Sequence, residues 1–158
     1  MDEDIENLYL TAVQELRRIE HIIFVTLKYT RTVDVLKSIV SRMIEMIDYM
    51  LDLLLESYKF KGDIESYQKS PGLKVDQIRN LTEDDKISGM LDFYLLLRKA
   101  SRAEYETINE YKRHVGMVMQ KPDGSELIIN IDTVTQYYHD LKECLDYVYH
   151  FVFDEKSD

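Results

Sequence analysis

The chain has no tryptophan, one cysteine, two prolines and five glycines in 158 residues. With a single thiol, Cys144 can close no internal disulfide and form no Cys-x-x-Cys site, so a reducing compartment, the cytoplasm, is expected. So few backbone breakers leave room for only a few turns, whereas a fold of many short strands needs more of them, which points to long helices. Positive charge is also short: 20 Lys and Arg stand against 30 Asp and Glu, a net charge of −10. That field repels phosphate backbones and anionic lipid heads at long range, so general nucleic-acid binding is not expected. No stretch approaches the roughly 18 uninterrupted apolar residues of a membrane span. The start is acidic, with Asp2, Glu3, Asp4 and Glu6, where an export signal is basic. Neither membrane insertion nor export is expected.

What is present is a folded composition, 45% hydrophobic and 32% charged, and a length that suits one domain over residues 1–158 with one core. Ile5, Leu8, Ala12, Leu16, Ile19, Ile23 and Leu27 recur at steps of three and four, which predicts a first helix over about 4–29. Val33, Leu36, Val40, Met43, Ile47, Met50, Leu51, Leu54 and Tyr58 predict a second over about 33–60, with Asp48, Asp52 and Glu56 as an outward row. Thr30, Arg31 and Thr32 form a short polar break between the two, with capping residues for the second.

Residues 61–81 hold Gly62, the Ser70-Pro71-Gly72 turn signal and little periodicity, and read as the longest loop, with at most a helical turn around 75–79. Thr82, followed three positions later by Asp85, resembles a capping box and starts a third helix, running to about His114. Its inner face carries Ile87, Met90, Leu91, Tyr94, Leu97, Tyr105 and Ile108. Two runs rich in β-branched residues then flank Lys121-Pro122-Asp123-Gly124, a type I turn signal, and predict a small hairpin over 115–131. Asp132 is placed to cap the last helix, with Tyr137, Leu141, Leu145, Val148 and Val152 as its stripe and a disordered tail over 154–158. The fold class is mainly α: an up-and-down bundle of four long helices with a small β-hairpin before the last.

Several chemistries lack their residues. A carboxylate-bridged di-metal bundle needs Glu-x-x-His pairs, and Arg18, Tyr111, Gln136 and Tyr147 stand three before His21, His114, His139 and His150. Glu45 with Asp48, and Glu143 with Asp146, have half the acidic spacing of helical nucleotide pyrophosphatases but not the upstream acidic partner. Cys144 has Lys142, Glu143 and Asp146 beside it and no activating base, and reads as a small core residue. There is no Gly-rich phosphate loop, zinc spacing or nucleophile elbow. No catalytic residue, metal or cofactor is therefore assigned.

Two features carry information about binding. Arg98, Arg102, Asn109 and Arg113 fall at helical steps if the third helix runs to His114, with Tyr105 beside them and His114 next in line. Such a strip on an acidic chain could receive an anion or a nucleotide, or the arginines could pair with Glu104, Glu106 and Glu110. Tyrosine is the second feature: there are twelve, several crowded on the last helix. An apolar face that wide calls for a further partner, so a homodimer through Tyr138, Tyr149 and Phe151 is expected.

The order of two long helices, a loop, a third helix and a closing helix resembles the HEPN superfamily of helical domains. The stretch Ser41, Arg42, Met43, Ile44 and Glu45 and the run from Asp132 through Tyr137 and Tyr138 to Val152 carry the likeness. The resemblance implies a dimer of the kind found in prokaryotic toxin–antitoxin and defence systems. Ribonucleases of that superfamily have Arg, four to six residues, then His, and no arginine here stands at that distance before any of the four histidines. The expectation is a non-enzymatic helical module that dimerises and binds another macromolecule. A nucleotide-processing enzyme using Arg98, Arg102 and His114, and a small-ligand bundle, stay open as alternatives.

Overall fold

The computed structural model describes residues 3–154. Residues 155–158, most of the expected tail, lie outside the described residues. In order come α1 (Glu3–His21), a π turn (Ile22–Thr26), α2 (Leu27–Tyr29), α3 (Val33–Phe60), α4 (Pro71–Leu81) and α5 (Asp85–Arg102). Three strands follow, β1 (Glu106–Ile108), β2 (Gly116–Gln120) and β3 (Glu126–Asn130), and then α6 (Ile131–Phe153). The fold is mainly helical, and no helix among the described residues is long and apolar enough to cross a membrane.

α1 places Glu3, Asp4 and Glu6 in its first turn, where the positive helix end favours acids, and buries Ile5, Ala12 and Ile19. The next core residues, Ile23 and Leu27, follow at steps of four, longer than the ~3.6 residues of an α turn. A wider π turn takes up the excess and turns Phe24 and Val25 partly outward. The first helix is thus one path with a bulge.

Thr32 caps α3, its side chain accepting from the Val35 amide at 3.3 Å. α3 buries Ile39, Ile44, Met46, Leu53 and Leu55 beyond the expected stripe, because α1, α4, α5 and α6 all pack on it. The acidic row on α3 is not an open solvent face. Asp48 accepts from Tyr94 of α5, Asp52 pairs with Lys74 Nζ of α4 at 2.6 Å, and Glu56 accepts from the Tyr67 hydroxyl at 2.8 Å. Residues 61–102 are strapped to α3 through these carboxylates.

The segment expected as a loop contains α4. Ser70 precedes it in extended conformation, Pro71 occupies its first turn, and Lys74, Val75 and Ile78 are buried. Three buried positions are too few to show a periodicity. Thr82 ends α4 instead of starting α5; its hydroxyl accepts from the Asp84 amide at 3.1 Å. Asp84 is the cap of α5, with one carboxylate oxygen accepting from the Lys86 and Ile87 amides at 3.0 Å each.

α5 stops at Arg102, not near His114. Beyond it β1 pairs antiparallel with β2, Glu106 opposite Val118 and Ile108 opposite Gly116, and that ladder takes the place of further helix. The expected hairpin is present as β2 and β3, closed by the Gly124 amide on the Lys121 carbonyl at 3.0 Å, with Gly124 at φ +87°. The sheet has three strands because β1 adds to it. Met117, Met119 and Ile129 are buried.

Asn130, not Asp132, caps α6, its side chain accepting from the Thr133 amide at 2.9 Å. Much of the broad apolar face of α6 packs inside the protein, while Tyr149 stays exposed and Phe151 partly so. Val134, Tyr138, Leu141, Leu145, Val148 and Val152 are buried, with Tyr138 rather than Tyr137 in the inner stripe. Tyr137 meets Phe93 of α5 at 4.9 Å between ring centroids, Tyr138 meets Phe24 at 5.6 Å, and Tyr149 and Phe153 meet Tyr9 at 4.9 and 5.9 Å. Of the three residues expected on a dimer face, Tyr138 is only 4% exposed and packs within one chain, whereas Tyr149 is 37% exposed.

Candidate anion-binding site

The six residues expected as one basic strip fall into four separate settings. Arg98 is half-buried on α5, its guanidinium 5.7 Å from the Tyr94 ring centroid. Burial first, and then the hydrogen bond to Asp48, push the Tyr94 phenol far above its ordinary value, so it stays protonated and donates. Arg102 is exposed at the end of α5. Tyr105 packs under Lys37, whose Nζ lies 5.2 Å from the ring centroid. None of these three lines the cleft that receives Arg113 and His114.

That cleft, about 230 Å³, lies where the end of the first helical path, the β1–β2 loop and the start of α6 meet. Ile23 and Leu27 line it together with Asn130 and Ile131. Lys28, Arg31, Arg113 and His114 bring its basic groups, and Asp132 is its one acid. None of the four basic side chains makes an ion pair among the described residues. The first turn of α6 adds the positive end of a 23-residue helix. On a chain of net charge −10, three unpaired cations and a histidine drawn from two distant segments form a local reversal of sign.

The β1–β2 loop holds Arg113 and His114 there at a backbone cost. Asn109 and Tyr111 have φ of +52° and +67°, the left-handed region that side chains with a Cβ disfavour. Docking onto the α2–α3 connection offsets that strain. The Tyr111 amide donates to the Arg31 carbonyl at 2.7 Å, Glu110 accepts from the Val33 amide at 3.1 Å, and Asn109 Nδ2 donates to the His114 carbonyl at 3.2 Å. Asn109 is therefore a positioning residue. Glu110 spends its carboxylate on the first turn of α3 and leaves the cleft cations unneutralised.

Two tyrosines adjoin the cleft. Tyr29 follows Lys28 and is 85% exposed; Tyr111 is bonded through its backbone to Arg31 and is 77% exposed. Tyr149 is the next most exposed tyrosine, at 37%. Lys28, Arg31 and Tyr29 were missed in the sequence because they flank a break between helices, where periodicity carries no information. The spacing Lys-x-x-Arg at a helix end was the available signal.

Elsewhere, Cys144 is half-buried on α6, and burial, then Asp140 and Glu143, push its thiol up to about 11, which leaves it protonated near neutrality. No three His, Cys, Asp or Glu side chains among the described residues converge as a metal site requires. Compared with known protein families, curated proteins and solved structures, the chain matches none.

Proposed function

We propose that this protein is a non-enzymatic helical interaction module that captures an anionic group of a partner macromolecule in the Lys28, Arg31, Arg113 and His114 cleft. One observation carries the reading: three cations from two distant segments share one cleft, and the two most exposed tyrosines adjoin it. Arginine and tyrosine are the residues that dominate interface energetics, arginine through bidentate contacts to carboxylate or phosphate and tyrosine through apolar area with a polar tip. A cytoplasmic setting, the HEPN likeness and self-association belong to the same proposal. A homodimer through α6 would draw on Tyr149 and Phe151, with Tyr138 committed to Phe24.

The enzymatic alternative relied on Arg98, Arg102 and His114 acting together, and the separate placement of the two arginines weighs against that trio.

The test is a thermal melt in rising inorganic phosphate at constant ionic strength. A ligand that binds only the folded state at a hundred times its Kd adds about 2.7 kcal/mol. The wild type is expected to gain stability and the double variant Arg31→Gln, Arg113→Gln to gain none. Equal responses would mean that the cleft is not the anion site, and no response in either would remove the proposal.

A further inference from the structure

A second cavity, which shares no lining residue with the anion cleft, is a groove of about 390 Å³ between α5 and α6. Its walls are Ile87, Met90 and Phe93 of α5 and Cys144, Tyr147 and Val148 of α6. The size and apolar lining are those of a small-molecule site. At its α5 side stands Gly89, within a helix, where an added Cβ would meet no atom within 4 Å. A glycine inside a helix weakens it, and alanine would fit without any clash. Keeping Gly89 leaves the groove open at the expense of helix stability.

The charges on the rim are uneven. Lys86 is engaged, its Nζ 4.8 Å from the Tyr147 ring centroid, while the Tyr147 hydroxyl donates to Asp84. Among the described residues, on the α6 side Asp140 accepts only from the neutral Gln136 amide, at 2.9 Å, and Glu143 has no ion pair. Burial first, and then both carboxylates, raise the Cys144 thiol that lines the groove. The interior is apolar, and on its rim the Asp140 and Glu143 carboxylates outnumber the one Lys86 ammonium, which favours an apolar ligand that carries positive charge.

We infer that the groove between α5 and α6 binds a small organic amine, an aromatic or branched apolar body lying along Met90, Phe93 and Val148 with its ammonium at Asp140 and Glu143. The inference is independent of the anion cleft.

Two probes of one shape and opposite charge test it, 2-phenylethylamine and 3-phenylpropionate, titrated into the full chain by calorimetry and by the rate of Cys144 alkylation. The amine is expected to bind at least ten-fold more tightly than the acid and to slow alkylation. Asp140→Asn with Glu143→Gln is expected to erase that preference. Gly89→Leu is expected to abolish binding while the melting temperature holds or rises, which separates a filled groove from a damaged fold. Equal binding of both probes, preference for the acid, or binding unaffected by Gly89→Leu would each overturn the inference, as would no binding of either.

Discussion

α3 and the segment from residue 103 to 130 differ in what holds them. α3 is surrounded by α1, α4, α5 and α6, and Leu51, Leu53 and Leu55 on it are completely buried. The sheet segment buries Val115, Met117, Met119 and Ile129 on one side and leaves Ile108 and Ile128 partly exposed on the other. Its β1–β2 loop is fixed by hydrogen bonds to distant backbone, the Tyr111 amide donating to the Arg31 carbonyl and Glu110 accepting from the Val33 amide. Apolar burial thus sets the stability of one region, and strained, polar docking shapes the other, which carries the candidate site. Binding elements drawn from the less buried part of a fold can hold conformations that a packed core would not tolerate.

The contrast is sharpest in the response to truncation. Leu51→Ala is expected to cost about 3 kcal/mol in denaturant unfolding through lost burial and a residual cavity, while Ile128→Ala should stay below about 1 kcal/mol. Similar losses at both sites would break the distinction. Next in size is the strap over α3. Asp52→Ala leaves Lys74, 7% exposed, without its partner and should cost about 2 kcal/mol, while Lys74→Met should recover most of it in the double variant.

Asp84→Ala should cost about 1 kcal/mol, as the loss of a helix cap does. Burial raises the Asp84 carboxyl, but hydrogen bonds from Tyr147 and from the Ile87 and Lys86 amides, with the Lys86 charge, outweigh it and hold the carboxyl below its ordinary value. Its contribution is therefore present above the ordinary carboxyl value and is lost as pH falls through the lower folded one. The pH dependence of unfolding in acid should flatten in Asp84→Ala.

Tyr111→Gly sharpens the comparison in the opposite direction. Glycine relieves the positive φ, so stability should rise by up to about 1 kcal/mol, while affinity for a partner of the kind proposed should fall. A stability loss there would show that the loop is held by the ring and not strained for presentation. The smallest effect belongs to His150 at the exposed end of α6, where the hydrogen bond and charge of Asp154, then Asp146, raise the imidazole above its ordinary value. Its contribution is complete below that ordinary value and disappears as pH rises through the folded one. His150→Gln should remove only a slight decline in melting temperature on the alkaline side of that window.

The helices were legible where apolar residues recur often enough to mark a face. α3 and α6 satisfy this along most of their length, and α5 from Ile87 to Leu97. α4 has only Lys74, Val75 and Ile78 inward, too short a record to separate it from a loop. The third helix was read too far because Tyr105, Ile108 and Arg113 continue its spacing by coincidence, and only the pairing of β1 with β2 reveals that the backbone is extended there. Arg113 and His114 stand out in the sequence only through that same coincidental helical spacing, while Lys28 and Arg31 lie some eighty residues away in the chain.

By itself the sequence determined the helical class, the seams of the core, the hairpin turn at Gly124 and the negative field, because each depends on neighbours within a few residues or on totals. Tertiary structure decided which carboxylates are capped by tyrosine and lysine, where α5 ends, how the width of α6 is divided between α1 and α5, and which cations meet. Those outcomes depend on contacts between residues far apart in the chain, whose energies local spacing does not encode.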